Sequence, residues 1–200
     1  MSDSDRSTMD SILEAARSEF LLHGYRAVGL REIVKKAGVT TGAFYGYFKN
    51  KEDLFTALVG REYSHFIELY RGMLEDFGSI PHDQQIRDFP LHARTLLTRL
   101  SEYIFQNRDV FKMILCSSEG TEYSNLIHEL AKLDVEATRK FLDLSDRKIN
   151  SKLEHMLISG MFATFFELII HDVPQEESRE YIEQMLEFYI GGWKSILGIQ

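Results

Sequence analysis

The sequence predicts an all-α protein, and three observations carry that expectation. Every periodic stretch of the 200 residues repeats its apolar positions at three- and four-residue intervals, and none alternates as a strand does. Two of these stretches, residues 30–37 and 41–47, are short and joined through a turn at Gly38. The last two, opening near Ser151 and Pro174, are long and apolar over much of their surface. A small three-helix head over residues 1–50 and a larger helical body over 51–200 follow, with a connector helix at about 51–77.

The first helix is expected over residues 7–23. Ser7 and Asp10 are spaced as a capping box, Ile12, Leu13, Ala16, Phe20 and Leu21 form one stripe, and Gly24 ends it. Residues before Ser7 read as a mobile tail. The second helix carries Leu30, Ile33, Val34 and Ala37 on one face, with Arg31, Lys35 and Lys36 outside it. Gly38 stops it, because glycine takes positive φ without strain. Thr40 is the next N-cap candidate.

The third helix, residues 41–47, combines small and aromatic residues unusually. Phe44 and Phe48 are four apart and anchor it, which leaves Thr41, Gly42, Ala43, Tyr45 and Tyr47 on the other faces. Small side chains at a helix N-terminus let the backbone approach an anion, and tyrosine hydroxyls donate well to phosphate. Lys49 and Lys51 follow at once. This is a helix-turn-helix DNA reader; the competing reading has the tyrosines as half-buried packing residues.

Gly24-Tyr25, Ile33-Val34, Ala37-Gly38-Val39, Gly42, Phe44-Tyr45, Tyr47-Phe48 and Lys51-Glu52-Asp53-Leu54-Phe55 together resemble the N-terminal domain of the tetracycline-repressor (TetR) family of bacterial transcription regulators. The resemblance implies a three-helix DNA-binding domain with a helix-turn-helix, on a larger helical ligand-binding and dimerisation domain. Residue by residue it implies base-edge contacts from Thr41, Gly42 and Ala43, and phosphate contacts from Thr40, Tyr45, Tyr47 and Lys51. Two positions depart from the pattern: Val28-Gly29 replaces the usual hydroxyl residues before the second helix, and Gly46 stands where an aromatic is common. The first removes a phosphate contact; the second costs about 1 kcal/mol of helix propensity, which Phe44 and Phe48 must offset by packing.

Asn50 caps the connector helix, with Asp53 at its third position. Residues 78–90 read as a polar loop bounded by prolines and as the domain boundary. Helices are then expected over 91–106, 109–116, 125–144, from Ser151 (capping box with Glu154) and from Pro174. The lone cysteine, Cys116, ends an apolar run and is expected to be buried.

Gly160 and Gly191-Gly192 would allow the last two helices to cross closely. The resemblance implies that they pair with their symmetry mates in a homodimer through Met156, Gly160, Ala163, Met185, Tyr189, Gly192 and Trp193. Without it, the same pattern could close a monomer's core. An effector pocket is expected in the body among Tyr103, Phe111, Met113, Tyr123, Phe141, Met161, Phe165 and Phe166.

The net charge is −8, yet residues 31–51 hold five basic side chains against one acidic, so the basic face is local to the reader. No apolar leader and no span approaching a membrane helix is read, which places the chain in the cytoplasm. No glycine-rich phosphate loop, His-x-x-x-His pair or nucleophile elbow occurs, and the seven histidines are dispersed. An enzyme, a metal site and a cofactor are therefore not expected. The expected partners are a double-stranded DNA operator and an unidentified small-molecule effector, with a repressor as the default. A protein-interaction adaptor on the same fold, or a DNA binder without small-molecule control, is the alternative.

Overall fold

The computed structural model describes residues 3–142 and 149–197 of the chain, and their side chains from 7 to 139 and from 149 to 196. Among the described residues every regular element is helical: α1 (Asp3–Ala27), α2 (Leu30–Lys36), α3 (Thr41–Tyr45), α4 (Lys51–Gly78), α5 (His82–Gln106), α6 (Arg108–Ser117), a 3-10 turn (Glu122–Asn125), α7 (Leu126–Leu142), α8 (Ser151–Ile170) and α9 (Gln175–Leu197). The all-α expectation holds.

The local signals at the N-terminal end act as expected. Gly24 interrupts α1 at φ 77°, and Gly38 turns the chain after α2 at φ 68°. The Asn50 carboxamide accepts from the amide of Asp53 at 2.8 Å, and Asp53 accepts from the amide of Lys49 at 2.9 Å. One boundary differs: α1 begins at Asp3, so Ser7 lies inside the helix, not at its cap.

The chain forms two compact units. The first comprises Met1–Ser64 and Arg108–Ser124, the second His65–Asn107 and Asn125–Gln200. The compact boundary falls inside α4, and α6 joins the first unit, which the linear division 1–50 and 51–200 did not include. In the first unit α1 packs on α2 and α6, and Ile12, Phe20, Ile33, Phe44, Phe55, Val59 and Phe111 are fully or almost fully buried. In the second, α7 packs on α8 and α9 packs on α5 and α8, around Phe66, Tyr70, Leu100, Phe162, Phe165 and Phe166.

Four expectations are corrected. The segment 78–90 is not a loop: α5 starts at His82 with Pro81 as its N-cap, and it carries Pro90 inside. A proline in a helix interior removes a hydrogen bond and costs about 3 kcal/mol, so reading Pro90 as a breaker followed the local rule. Tertiary packing overrides it; Gln85, buried in the first turns, donates to Ile80 O at 2.7 Å and ties the helix start to the chain before it.

Cys116 is exposed, because α6 turns Val110, Phe111, Met113, Ile114 and Ser117 inward, and 116 falls on the opposite face. The cap of α8 is Asn150, whose side chain accepts from Lys152 N at 2.9 Å; Glu154 is buried and does not close a capping box with Ser151. Finally, α8 is long and apolar enough to cross a membrane by length and composition, contrary to the sequence reading. Its Ile158, Phe162, Phe165, Phe166, Leu168 and Ile169 are buried against protein, as in a core helix. The expected end of α7 at Leu144 lies outside the described residues.

Candidate nucleic-acid interface and internal cavity

In the first unit, α3 is held from one side only. Phe44 is fully buried and Phe48 nearly so, with ring centroids 5.6 Å apart. At the N-terminus the Thr40 hydroxyl oxygen accepts from Ala43 N at 3.1 Å, so the cap forms as expected. The opposite side carries Thr41, Gly42 and Tyr45, all exposed, and Ala43 and Tyr47, partly exposed. Tyr45 stands edge-on to Phe44 with centroids 5.4 Å apart, which fixes its ring while leaving 57% of the residue exposed. A Cβ on Gly42 would meet nothing nearer than Thr40 Oγ1 at 3.8 Å. Internal packing therefore does not require glycine there, and any requirement must come from what approaches from outside.

Two departures from the family pattern resolve locally. Glu32 accepts from the Gly29 amide at 2.9 Å, so α2 keeps its start without a hydroxyl residue. At Gly46 a Cβ would lie 3.2 Å from Ala43 O, so the glycine suits the C-cap of α3.

The basic face is smaller than the charge count suggested. Lys36 donates to Ser18 Oγ at 2.6 Å and to Glu19 Oε1 at 2.8 Å, and this contact holds the Glu19 carboxyl below its usual range. The Lys51 ammonium donates to Tyr25 O at 2.7 Å and Val28 O at 2.9 Å and lies 4.2 Å over the Tyr25 ring; burial lowers its pKa. Two of its three donors thus close the carbonyl end of α1. Lys51 was expected to hold a phosphate, and the geometry gives it a framework role first. Arg31, Lys35 and Lys49 are exposed beside the reader.

In the second unit, a cavity of about 140 Å³ opens among α4, α5, α7, α8 and α9. Of the expected lining, only Met161 is there among the described residues. Tyr103 and Phe166 pack on Phe66, and Phe165 on Phe166, on other faces of the same helices. Phe111, Met113 and Tyr123 belong to the first unit, where Tyr123 bonds Thr56 at 3.1 Å. The Phe141 side chain lies outside the described residues. The cavity is walled instead by residues such as Phe77, Leu97, Ile158 and Leu186, together with Tyr189 and Trp193, which had been assigned to a dimer interface.

Its polar lining, His92, Asp134 and Thr138 among it, and the polar groups behind it, Tyr70 and Glu154, were not foreseen, because polar residues inside amphipathic helices read as solvent-facing. Asp134 accepts from the Tyr70 hydroxyl and, at 3.3 Å, from Thr138 Oγ1. Burial raises the pKa of Asp134, and burial together with the Asp134 charge raises that of Tyr70 well above its usual value. Glu154 is 2% exposed, its Oε1 has no hydrogen-bond partner, and burial followed by the Asp134 charge pushes its pKa up to about 7. The His92 ring stacks on Phe77 with centroids 3.9 Å apart, its buried Nε2 unpartnered; burial brings its pKa down to about 4.

On the outer faces of α8 and α9, Met156, Gly160, Ala163 and Gly192 are exposed and Met185 partly so. Leu153, Tyr181 and Phe188, which the sequence reading passed over, are exposed beside them. The expected close crossing at Gly191-Gly192 is not formed within the chain, since a Cβ at either position would meet nothing within 4 Å.

Residues 12–58 match the family described as bacterial regulatory proteins, tetR family. The HTH-type transcriptional regulator YdgC of Bacillus subtilis (strain 168), itself uncharacterised, is 39% identical over 132 residues, 64% of either chain. The HTH-type transcriptional regulator AcrR of Shigella flexneri is 28% identical over 196 residues, covering 92% of this chain and 89% of AcrR. The chain spans only 26% to 64% of the length of the first three curated relatives it matches. The crystal structure of a transcriptional regulator from Aquifex aeolicus VF5 superposes with a TM-score of 0.58 at 23% identity, over 90% of this chain and 98% of that one, which supports the fold. The reader helix, its caps and its anchoring phenylalanines thus stand within residues 12–58, the segment that matches the TetR family of bacterial regulatory proteins.

Proposed function

We propose that the protein is a DNA-binding transcriptional repressor in the cytoplasm that acts as a homodimer and is released from its operator by a small molecule. One observation carries the reading: α3 is anchored through Phe44 and Phe48 and presents Thr41, Gly42 and Tyr45 to solvent. In this reading Thr41, Gly42 and Ala43 face base edges. Thr40, Tyr45 and Tyr47 hold phosphates, with Lys49 added and Lys51 reaching the backbone only through its third donor. The Thr40 oxygen accepts from an amide, and its own proton is still available to an anion.

The exposed apolar residues on α8 and α9 support pairing of two copies, since Met156, Phe188 and Tyr181 on neighbouring helices are a poor fit to water. Two readers related by a two-fold axis must lie about 34 Å apart to enter successive major grooves, so the operator is a pseudo-palindrome. The effector occupies the cavity in the second unit, and it shifts DNA binding only by binding two conformations unequally.

The test is fluorescence anisotropy on duplexes tiling the DNA upstream of the protein's own gene, at low and physiological salt. Tyr45→Phe is expected to weaken all sequences alike, and Thr41→Val to change preference at particular base pairs. No duplex bound better than random DNA, before or after unfolding and refolding to strip a bound effector, would sink the reading in favour of an adaptor.

A further inference from the structure

The cavity of the second unit carries chemistry that narrows what it can hold. Its volume, about 140 Å³, is close to that of an engineered apolar cavity of about 150 Å³ that accepts benzene. An apolar group of about one ring therefore fits. Phe77, Leu97, Ile158 and Trp193 supply flat and branched apolar walls for it.

The polar side of the cavity is acidic and held in place. Asp134 lines it, oriented by hydrogen bonds from Tyr70 on α4 and from Thr138 one turn on. Behind it Glu154 on α8 is buried with one carboxyl oxygen unpartnered. Among the described residues no lysine or arginine lines the cavity. Arg139 on α7 acts on Glu154 from an exposed position, and the only imidazole in the lining, His92 on α5, is held neutral by burial. The half-buried Asp134 thus lines the cavity with the buried Glu154 behind it, and among the described residues no cation of the chain lines the site. An anionic ligand would be repelled by Asp134, and a hydrocarbon would give its carboxylate no counter-charge.

We propose that this cavity takes a cationic amphiphile, a protonated amine on a ring-sized apolar group, with its ammonium at Asp134, in front of Glu154, and its ring against Phe77, Ile158 and Trp193. The proposal rests on reading the second unit as the effector domain. It names the ligand class that this site selects.

Trp193 is the chain's single tryptophan and lines the cavity, so its fluorescence reports occupancy without DNA. The protein would be titrated at pH 8 with 2-phenylethylamine, 2-phenylethanol and 3-phenylpropionate, which share a ring and differ in the head group. The amine is expected to bind at least about tenfold tighter than the alcohol, as a charge-assisted hydrogen bond implies. The propionate is expected not to bind. Asp134→Asn should bring the amine down to the level of the alcohol; if that variant also loses the alcohol, Glu154→Gln replaces it in the comparison.

Propionate binding equal to the amine, amine affinity unchanged in the variant, or no response to any probe at millimolar concentration overturns the proposal. Failure to bind an operator leaves the fluorescence result standing. A failed titration likewise leaves operator binding intact, so the two readings fail separately.

Discussion

Around the reader helix, polar groups are closed in short local loops, Thr40 with Ala43, Glu32 with Gly29 and Asn50 with Asp53, and by Lys51 reaching back to the carbonyls of Tyr25 and Val28. In the second unit the buried Glu154 and His92 each keep a polar atom without a partner, beside a cavity. Local caps fix one shape whether or not anything is bound, which suits a surface that must meet a fixed groove. Unsatisfied buried atoms keep a unit less stable than its apolar content would allow, and a ligand that satisfies them recovers that loss. In the proposed function, preorganisation belongs to one unit and responsiveness to the other.

The largest test removes the anchor of the preorganised side. Phe44→Ala is expected to lower stability by about 3–5 kcal/mol and abolish operator binding, measured by denaturant unfolding and anisotropy. A variant that unfolds as the native protein does would show that α3 is not held by this core. Next, Lys51→Met should cost about 1–3 kcal/mol through the two carbonyls it leaves unpaired. Lys49→Ala should leave stability alone while reducing the salt slope of DNA binding by about one. The opposite assignment of effects would return Lys51 to the phosphate contacts.

The responsive side is probed by pH. Glu154 holds its proton more tightly folded, at about 7 against 4.5, so the folded form loses stability as pH rises between those values. His92 runs the other way: its folded pKa of about 4 lies below the usual 6.5, so stability is lost as pH falls from 6.5 towards 4. Glu154→Gln should therefore gain about 1–2 kcal/mol at pH 8 and little at pH 4, and His92→Gln should flatten the acid limb. A Glu154→Gln curve parallel to the native one from pH 4 to 8 would remove Glu154 from the buried titrating groups. The smallest effect is expected at Cys116→Ser, within about 0.5 kcal/mol, because the thiol is exposed.

What the sequence made legible follows the same division. The head is written in local signals, such as a glycine at positive φ, a threonine cap and phenylalanines four apart, and each acts within a few residues. The body depends on tertiary context. Pro90 reads as a breaker until the packing of α5 outweighs the lost hydrogen bond. Glu154 reads as a capping residue until the fold buries it, and nothing local places Asp134 at a cavity. Tyr189 and Trp193 were correctly read as an apolar face, but periodicity cannot say whether such a face meets a second copy or a cavity in its own fold.

The chain passes between the two units three times, at Ser64, Asn107 and Ser124, and α6 is part of the first unit although it lies some forty residues after it in sequence. The head is consequently not a portable cassette. A graft of residues 1–64 onto another sensor would arrive without the helix that α1 packs on, and its hydrophobic side would have to be covered by the recipient. Recombination that exchanges N-terminal halves between such proteins is therefore filtered by whether the incoming α1 fits the resident α6, a constraint that acts on inheritance before any operator is met.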